Sequence, residues 1–332
     1  SEMCIRDSPR IDLSYDIPNN SIKLIKNDGN ITKYSFFNSY HKLDFKVDVI
    51  TWKLDENEIN LSTLSSSGLK AASFESKEYF SKQKMKDLRG NVSYDPLSIL
   101  RIYSETNMQN YIYAYDFAQQ ISPNLTVQQV KPVIFNLVQE GFITYDKKSE
   151  KIEIKPKVSH YVLANAEKKD YDNIAFLSNN KVKNASINLD SKSLNLEGVK
   201  KIPISIANST LFFPDSQKIT IEKNRNMLFN GMFFSGRMDF FGTDNHFIYD
   251  DFTMELPQIN TLIVNIPDGD KLNQYGQAVL RPIKSTLSEL SGSLKINLPI
   301  NKSGNSDLAQ FPIFESKSSS KVFYEDIKIG GG

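Results

Sequence analysis

The sequence has one cysteine, Cys4, and no apolar run long enough for a membrane helix. A spanning helix needs about 20 apolar residues, whereas apolar runs such as Leu211-Phe212-Phe213 have the length of a strand. Without a second cysteine, the chain cannot form internal disulfides, thiolate zinc sites or iron–sulfur clusters. These classes of protein are therefore excluded.

The sequence also lacks an excess of charge of either sign. It has 40 Lys and Arg residues against 39 Asp and Glu residues, and its formal net charge is +1. No overall field therefore attracts the chain to nucleic acid or to an anionic membrane. With 39% hydrophobic and 24% charged residues, the 332-residue chain can bury a core. Its length predicts about two or three domains of roughly 100–200 residues.

Both ends suggest a piece of a longer protein. Residues 1–8 (SEMCIRDS) resemble translated sequencing-adapter read-through, which recurs in reading frames from metagenomes, so we expect them to be an artefact. If so, the only cysteine is not part of the protein, and a cysteine nucleophile is excluded as well. The sequence stops straight after a strand-like pattern, and we expect residues 301–332 to be a truncated segment. The first expected partner is therefore the remainder of its own longer chain.

Most of the remaining sequence has the period-two alternation of half-buried strands. Phe45, Val47 and Val49 alternate with polar residues, although residues 9–45 as a whole show little regular pattern. From residue 170 onward, turn residues recur at about the 8–12-residue spacing of sandwiches and barrels, including a predicted turn at 242–245. The sequence therefore predicts a mainly β fold of antiparallel sandwich-like or solenoid-like sheets. It forms an N-terminal segment over residues 9–95 and a domain over residues 170–300.

Residues 96–169 change to helical spacing and form an inserted unit. Pro96 follows Asp95, which is a favourable helix start. Apolar residues from Ile112 to Ile121 suggest a second helix, and Thr126 can cap a third. The insert is therefore predicted to be α+β, with its helices first.

The third predicted helix leads into a hairpin. Gly141 closes the helix, and Pro132 is expected to kink it or to delay its regular part. A hairpin over residues 142–154 and a helix near residues 158–166 follow. This order resembles the winged-helix superfamily over residues 96–165, and residues 137–143 resemble its helix–wing junction. The resemblance implies a fold rather than a function, because one fold hosts many functions.

The C-terminal half carries a second resemblance. Residues 229–231 (FNG), 235–242 (SGRMDFFG) and 252–256 (FTMEL) resemble the large, β-rich, uncharacterised envelope proteins of Bacteroidota. The resemblance implies a bacterial cell-envelope location, periplasmic or associated with the outer membrane. It also implies other envelope proteins as partners, and it implies no mechanism.

Short catalytic signatures are missing. The sequence has no Gly-x-Ser-x-Gly elbow, no phosphate-binding loop and no Gly-x-Gly-x-x-Gly fingerprint. His41, His160 and His246 stand alone in different segments, which favours structural or surface roles over metal ligation. We therefore expect no catalytic, cofactor-binding or metal-binding residues, and we favour a protein without enzymatic activity.

A group of acidic residues flanks the predicted hairpin after residue 238, namely Asp239, Asp244, Asp250 and Asp251. Such carboxylates can bind Ca²⁺ or hydrolyse glycosides in pairs. The spacing does not match a known calcium loop, so turn-forming and solvent-facing roles are favoured.

The candidate interaction surface consists of basic residues, namely Lys147, Lys148, Lys151, Lys155, Lys157 and Arg237. On a winged helix the lysines would lie on the wing, where DNA phosphates can be met. The third helix offers one Lys and no Arg, which disfavours nucleic acid as a partner. Arg237 is expected to pair with an acid across the sheet.

The sequence thus favours a non-catalytic structural or interaction segment of a large bacterial cell-envelope protein. The alternative is nucleic-acid binding through the winged-helix-like module. A further alternative is a carbohydrate- or lipid-handling β domain, because aromatic residues are dense over residues 229–252.

Overall fold

The computed structural model describes residues 11–26, 35–63, 71–89, 94–180, 182–274, 278–283, 285–317 and 321–324. Within these residues the chain is mainly β, with its α-helices confined to one region. The predicted fold class is therefore confirmed. The proposed artefact at residues 1–8 lies outside the described residues.

Seven strands precede the first helix: β1 (Ile11–Asp16), β2 (Ser21–Lys26), β3 (Phe36–Asn38), β4 (Leu43–Lys46), β5 (Val49–Lys53), β6 (Glu58–Ser62) and β7 (Ala72–Ser76). The helical region follows: α1 (Lys82–Arg89), α2 (Pro96–Asn107), β8 (Tyr111–Tyr113), α3 (Ala114–Ile121), α4 (Val127–Gln139), β9 (Ile143–Asp146), β10 (Lys151–Ile154) and α5 (Pro156–Asn165).

The remaining described chain is built from strands. They are β11 (Ala175–Ser178), β12 (Ala185–Asn188), β13 (Leu194–Glu197), β14 (Ile202–Ser205), β15 (Thr210–Pro214), β16 (Lys218–Ile221), β17 (Met227–Ser235), β18 (Met238–Ile248), β19 (Thr253–Leu272), β20 (Ala278–Pro282), β21 (Ser285–Ser288), β22 (Leu290–Lys295), β23 (Ile313–Ser316) and β24 (Lys321–Tyr324).

The large sheet is antiparallel. Its main run of neighbouring strands is β1–β2–β5–β6–β12–β13–β16–β17–β18–β19–β22–β23. Strand β15 joins β14 to the second half of β17, and β20 and β21 pair with the second half of β19. Most neighbours are close in sequence because hairpins connect them.

A small sheet packs against the large one. Its strand order is β3–β4–β7–β11, also antiparallel. The ring of Phe74 lies 5.3 Å from that of Phe45 and 5.5 Å from that of Phe176. These phenylalanines belong to one buried cluster with large-sheet residues such as Leu61 and Phe247. Two sheets with a shared apolar layer make the arrangement sandwich-like.

The inserted module has its own core and the predicted order of elements, except that strand β8 separates its first helix from the second. Asp95 accepts a hydrogen bond from the backbone N–H of Leu97 and caps α2. Thr126 and Gln129 form a capping box at α4, and Gly141 follows that helix with a φ of 78°. These local interactions explain why the helix boundaries could be predicted. Helix α4 continues through Pro132 instead of starting after it.

Two sequence-based expectations about strands are wrong. Residues 11–26 form a hairpin of β1 and β2, which the pattern missed because most of these side chains are exposed. The predicted turn at 242–245 is a bulge inside β18, where the pairing register shifts. Buried Asn245 stabilises the bulge, because its amide donates to the carbonyl oxygen of Gly242 at 3.2 Å. In addition, Ile112 lies in β8 rather than in the second helix.

Candidate functional site

A cluster of buried charged side chains lies where the module meets the small sheet. Side chains of a strand alternate between its two faces. In β7 this alternation turns Phe74 toward the sandwich core and Glu75 toward the outer face of the sheet. Helices α1 and α5 cover that outer face, because their lysines reach Glu75. The module is thus joined to the sheet through charged groups.

Glu75 is the centre of this joint. The Nζ of Lys84 lies 2.8 Å from one carboxylate oxygen of Glu75, and the Nζ of Lys157 contacts the other. The side chain of Glu75 is only 7% exposed. Burial alone would raise the pKa of Glu75, but Lys157 and Lys84 outweigh burial and hold the pKa at about 2. Glu75 therefore carries its charge at neutral pH.

Glu140, directly after α4, extends the joint. It accepts hydrogen bonds from Lys84 at 2.6 Å and from Lys46 of β4 at 3.1 Å. Lys157 also donates to the backbone oxygen of Glu140 at 3.1 Å. Each buried charge thus has an opposite charge beside it, which is the condition under which charges are tolerated away from water. We call Lys46, Glu75, Lys84, Glu140 and Lys157 the charged joint.

Asp44 lies directly opposite Glu75 in the pairing of β4 with β7. Burial raises the pKa of Asp44, Lys157 lowers it, and Glu75 raises it further. Lys155 is also close enough to lower this pKa. Lys157, at the start of α5, therefore contacts an acid of the scaffold, and Lys155 lies within electrostatic range of Asp44.

Asp172 is the second anchor and lies in the segment after α5. It is fully buried, and its carboxylate accepts hydrogen bonds from Ser76 Oγ at 2.5 Å and from the Tyr249 hydroxyl at 2.8 Å. Burial raises the pKa of Asp172 to about 6, against the lowering effect of its hydrogen bonds. The guanidinium of Arg225 lies 3.6 Å from the centre of the Tyr249 ring and contacts Glu78. This anchor links the end of the module to both sheets.

The structure divides the predicted lysine surface. Lys147 and Lys148 are exposed in the β9–β10 turn, and the Nζ of Lys147 lies 5.9 Å from the centre of the Phe135 ring. The Nζ of Lys151 lies 3.3 Å from Glu153 and 4.6 Å from the centre of the Tyr111 ring. Lys157 contacts the scaffold, and Lys155 lies within electrostatic range of it, as described above. The five lysines therefore do not share one solvent-facing surface.

Arg237 lies far along the chain, in the exposed turn between β17 and β18. The nearby Asp239 accepts a hydrogen bond from Asn265 at 2.9 Å instead of from an arginine. Arg237 thus contributes to a separate surface of the large sheet.

The outer face of α4 is polar and nearly uncharged. Its exposed residues are Gln128, Gln129, Pro132, Asn136 and Gln139. Lys131, the basic residue of this helix, lies 3.6 Å from Glu150. A phosphate backbone would therefore find little free positive charge on this face.

The histidines and the acidic group do not form a joint site. His41 Nε2 bonds the carbonyl oxygen of Lys192, and His160 Nε2 bonds that of Glu78, each at 2.9 Å. His246 pairs with Glu222 at 3.3 Å. Asp250 accepts from Asn224 at 2.7 Å, whereas Asp239 bonds Asn265 in another part of the sheet. These carboxylates do not converge, so they give no support to glycoside chemistry.

Sequence reasoning missed the charged joint and the Asp172 anchor. Glu75 and Asp172 read locally as ordinary polar strand and loop residues. Lys84 is nine residues from Glu75, but Lys157 is 82 residues from Glu75, and Ser76 is 96 residues from Asp172. No local signal distinguishes them.

No protein-family model, curated protein or solved structure matches this chain. Across the described part of the chain, no helix has the length and apolarity that crossing a membrane would require. In the same residues, no group of three or more His, Cys, Asp or Glu side chains is placed to hold a metal ion.

Replacing the central carboxylate should weaken the joint. In Glu75→Gln, the ammonium groups of Lys84 and Lys157 lose a charged partner, and breaking a buried pair costs about 3–5 kcal/mol. Urea denaturation should show a loss of about 3 kcal/mol, and limited proteolysis should release fragments near the module boundaries. The control is Glu153→Gln, since Glu153 is 52% exposed and its partners Lys151 and Thr144 belong to its own hairpin. Equal losses in both variants would contradict the role of the joint.

Buried histidines should make the protein sensitive to mild acid. Burial lowers the pKa of His41 and of His160 to about 4, from an ordinary value of 6.5. The unfolded chain therefore takes up protons first, and stability present above pH 6.5 is lost as the pH falls toward 4. Between pH 7 and 5 each histidine should cost about 2 kcal/mol.

The measurement is the free energy of unfolding at both pH values for the wild type and for His160→Gln. Asp172 acts in the opposite direction, because its raised pKa makes stability fall as the pH rises toward 6. The difference between variant and wild type removes this contribution. An unchanged pH dependence in His160→Gln would rule out the histidine contribution.

Proposed function

We propose that this chain is a non-catalytic structural and interaction segment of a large bacterial cell-envelope protein. The charged joint carries the proposal. It holds the helical module on the outer face of the small sheet through buried pairs between Glu75, Glu140 and three lysines. A module held this way cannot swing freely without leaving buried charges unpaired. It therefore extends the β scaffold and presents its outer faces in a constant orientation.

The cell-envelope setting rests on the resemblance of residues 229–256 to β-rich envelope proteins of Bacteroidota. A periplasmic or outer-membrane-associated protein meets other envelope proteins and the rest of its own chain. Long antiparallel sheets suit such a setting, because hairpin-connected strands extend a rigid surface without a cofactor. The longest described strand, β19, has 20 residues.

Cell fractionation tests this setting. An antibody against the chain should detect the native protein in the envelope fraction of the bacterium that carries the gene, with a cytosolic enzyme as the control marker. The antigen should stay with the envelope through washes that release the marker. Recovery together with the cytosolic marker would contradict the proposal.

The second candidate function is nucleic-acid binding by the module. The outer face of α4 and the β9–β10 turn are both exposed, and these are the parts of a winged helix that meet DNA. Against this function, Lys131 pairs with Glu150, Lys157 contacts the scaffold, and Lys155 lies within electrostatic range of it. Lys147 and Lys148 leave a small basic surface.

An electrophoretic shift assay on the complete chain at low salt separates the candidates, because phosphate contacts are strongest there. We expect no shifted band with duplex DNA at micromolar protein. The control is the double variant Lys147→Glu/Lys148→Glu, which removes the exposed turn lysines. A shift that disappears in this variant and weakens with salt would favour nucleic-acid binding instead.

A further inference from the structure

Strand β1 is an open edge of the large sheet. Among the described residues it pairs only with β2. The backbone N–H of Leu54 donates to the carbonyl oxygen of Asn20, so even-numbered residues of β2 bond to β5. Successive residues of a strand direct their backbone groups to opposite sides. Odd-numbered residues of β2 therefore bond to β1.

The register of the β1–β2 hairpin then shows which backbone groups of β1 point away from β2. Lys23 lies opposite Ser14, and Ile25 lies opposite Asp12, so these β1 residues hydrogen-bond to β2. The backbone groups of Leu13 and Tyr15 point to the outer side of the edge. Unpaired N–H and C=O groups in a row are a template for another strand.

The apolar face of the sheet continues to this edge, and its last side chains are exposed among the described residues. One row of opposed side chains starts in the core and ends at Leu13: Ala185, Leu61, Ile50, Leu24, Leu13. Their exposures are 0%, 0%, 3%, 8% and 67% in that order. A second row of opposed side chains runs beside the first, from Trp52 through Ile22 to Tyr15, and Tyr15 is 50% exposed. Core-type side chains are thus exposed at the edge.

We propose that this edge binds the β1 strand of a second copy of the chain, antiparallel, about a two-fold axis at Leu13. Leu13 then lies opposite Leu13 of the second copy, and residue 11 lies opposite Tyr15. The outward backbone groups of each strand meet those of the other. The apolar row continues through the axis into the second sheet. The surface is self-complementary, as an isologous contact requires.

The opposite face of β1 fits the same register. Asp12 of the second copy lies opposite Ser14, and Lys23 lies next to Ser14 on β2. Lys23 and the second copy's Asp12 thus lie on one face, on either side of Ser14. The opposite charges at these register positions favour a second copy as the occupant.

The contact is small. A six-residue strand pair buries much less than the roughly 1,600 Å² of a standard stable interface. The dimer should therefore be weak and reversible, with a dissociation constant of about 10–100 μM, at the weak end of specific association. This inference goes beyond the proposed function, because it assigns a self-association surface to the scaffold.

Sedimentation velocity over a concentration series tests the dimer. The wild type should shift from monomer to dimer as the concentration rises. Leu13→Lys adds a charge to the open edge and should raise the dissociation constant at least tenfold. The matched control is Leu177→Lys, because Leu177 is 52% exposed on β11 of the small sheet. The control should dimerise like the wild type, and circular dichroism should show that both variants fold.

Cross-linking tests the register. In a Cys4→Ala background, Leu13→Cys should form a disulfide-linked dimer, since Cα atoms of a hydrogen-bonded pair lie about 5.5 Å apart, within disulfide reach. Ser14→Cys should not, because its mate is residue 12. A wild type that stays monomeric at several hundred micromolar would overturn the proposal. So would a dimer that persists in Leu13→Lys, or cross-linking that is equal at both positions.

Discussion

Glu75 is a nearly buried carboxylate that keeps its charge because two ammonium groups lie against it. Those groups come from α1 and α5, whereas Glu75 belongs to the small sheet. The free energy of this arrangement depends on all three elements being in place together, since an unpaired charge in this position costs several kcal/mol. This constraint sets the orientation of the module on the sandwich. It also explains why Lys157 is not part of an exposed basic surface.

Asp172 also links the module to the scaffold, but a different balance of burial and hydrogen bonding sets its pKa. Its carboxylate is held mainly by neutral hydroxyl donors, so burial dominates and the pKa rises to about 6. Glu75, with its lysines, has a pKa of about 2. Two carboxylates at one interface thus respond to pH in opposite directions, because one has cationic partners at hydrogen-bond distance and the other does not. Together they link the module to both sheets.

Much of the module could be predicted from the sequence, because helix ends depend on neighbours within a few residues. Asp95, Thr126 and Gly141 mark the helix boundaries through local hydrogen bonds and backbone conformation. The β1–β2 hairpin could not be predicted, since its side chains are largely exposed and alternate weakly. The sequence at Asn245 predicts a turn instead of a bulge, because Gly, Asp and Asn favour both. Only the strand pairing on either side of β18 distinguishes the two.

The mainly β class, the helical insert and the near balance of charge follow from the order and type of the residues. Whether a basic residue is exposed or paired depends on the packing of distant elements. Lys147 and Lys157 belong to one sequence cluster, yet one lies in an exposed turn and the other is paired with Glu75 across 82 residues. The sequence shows that these lysines are close together along the chain. Whether each lysine is buried or paired depends on which distant strand packs against it. Local patterns therefore predicted the elements, and packing determined which charges face the solvent.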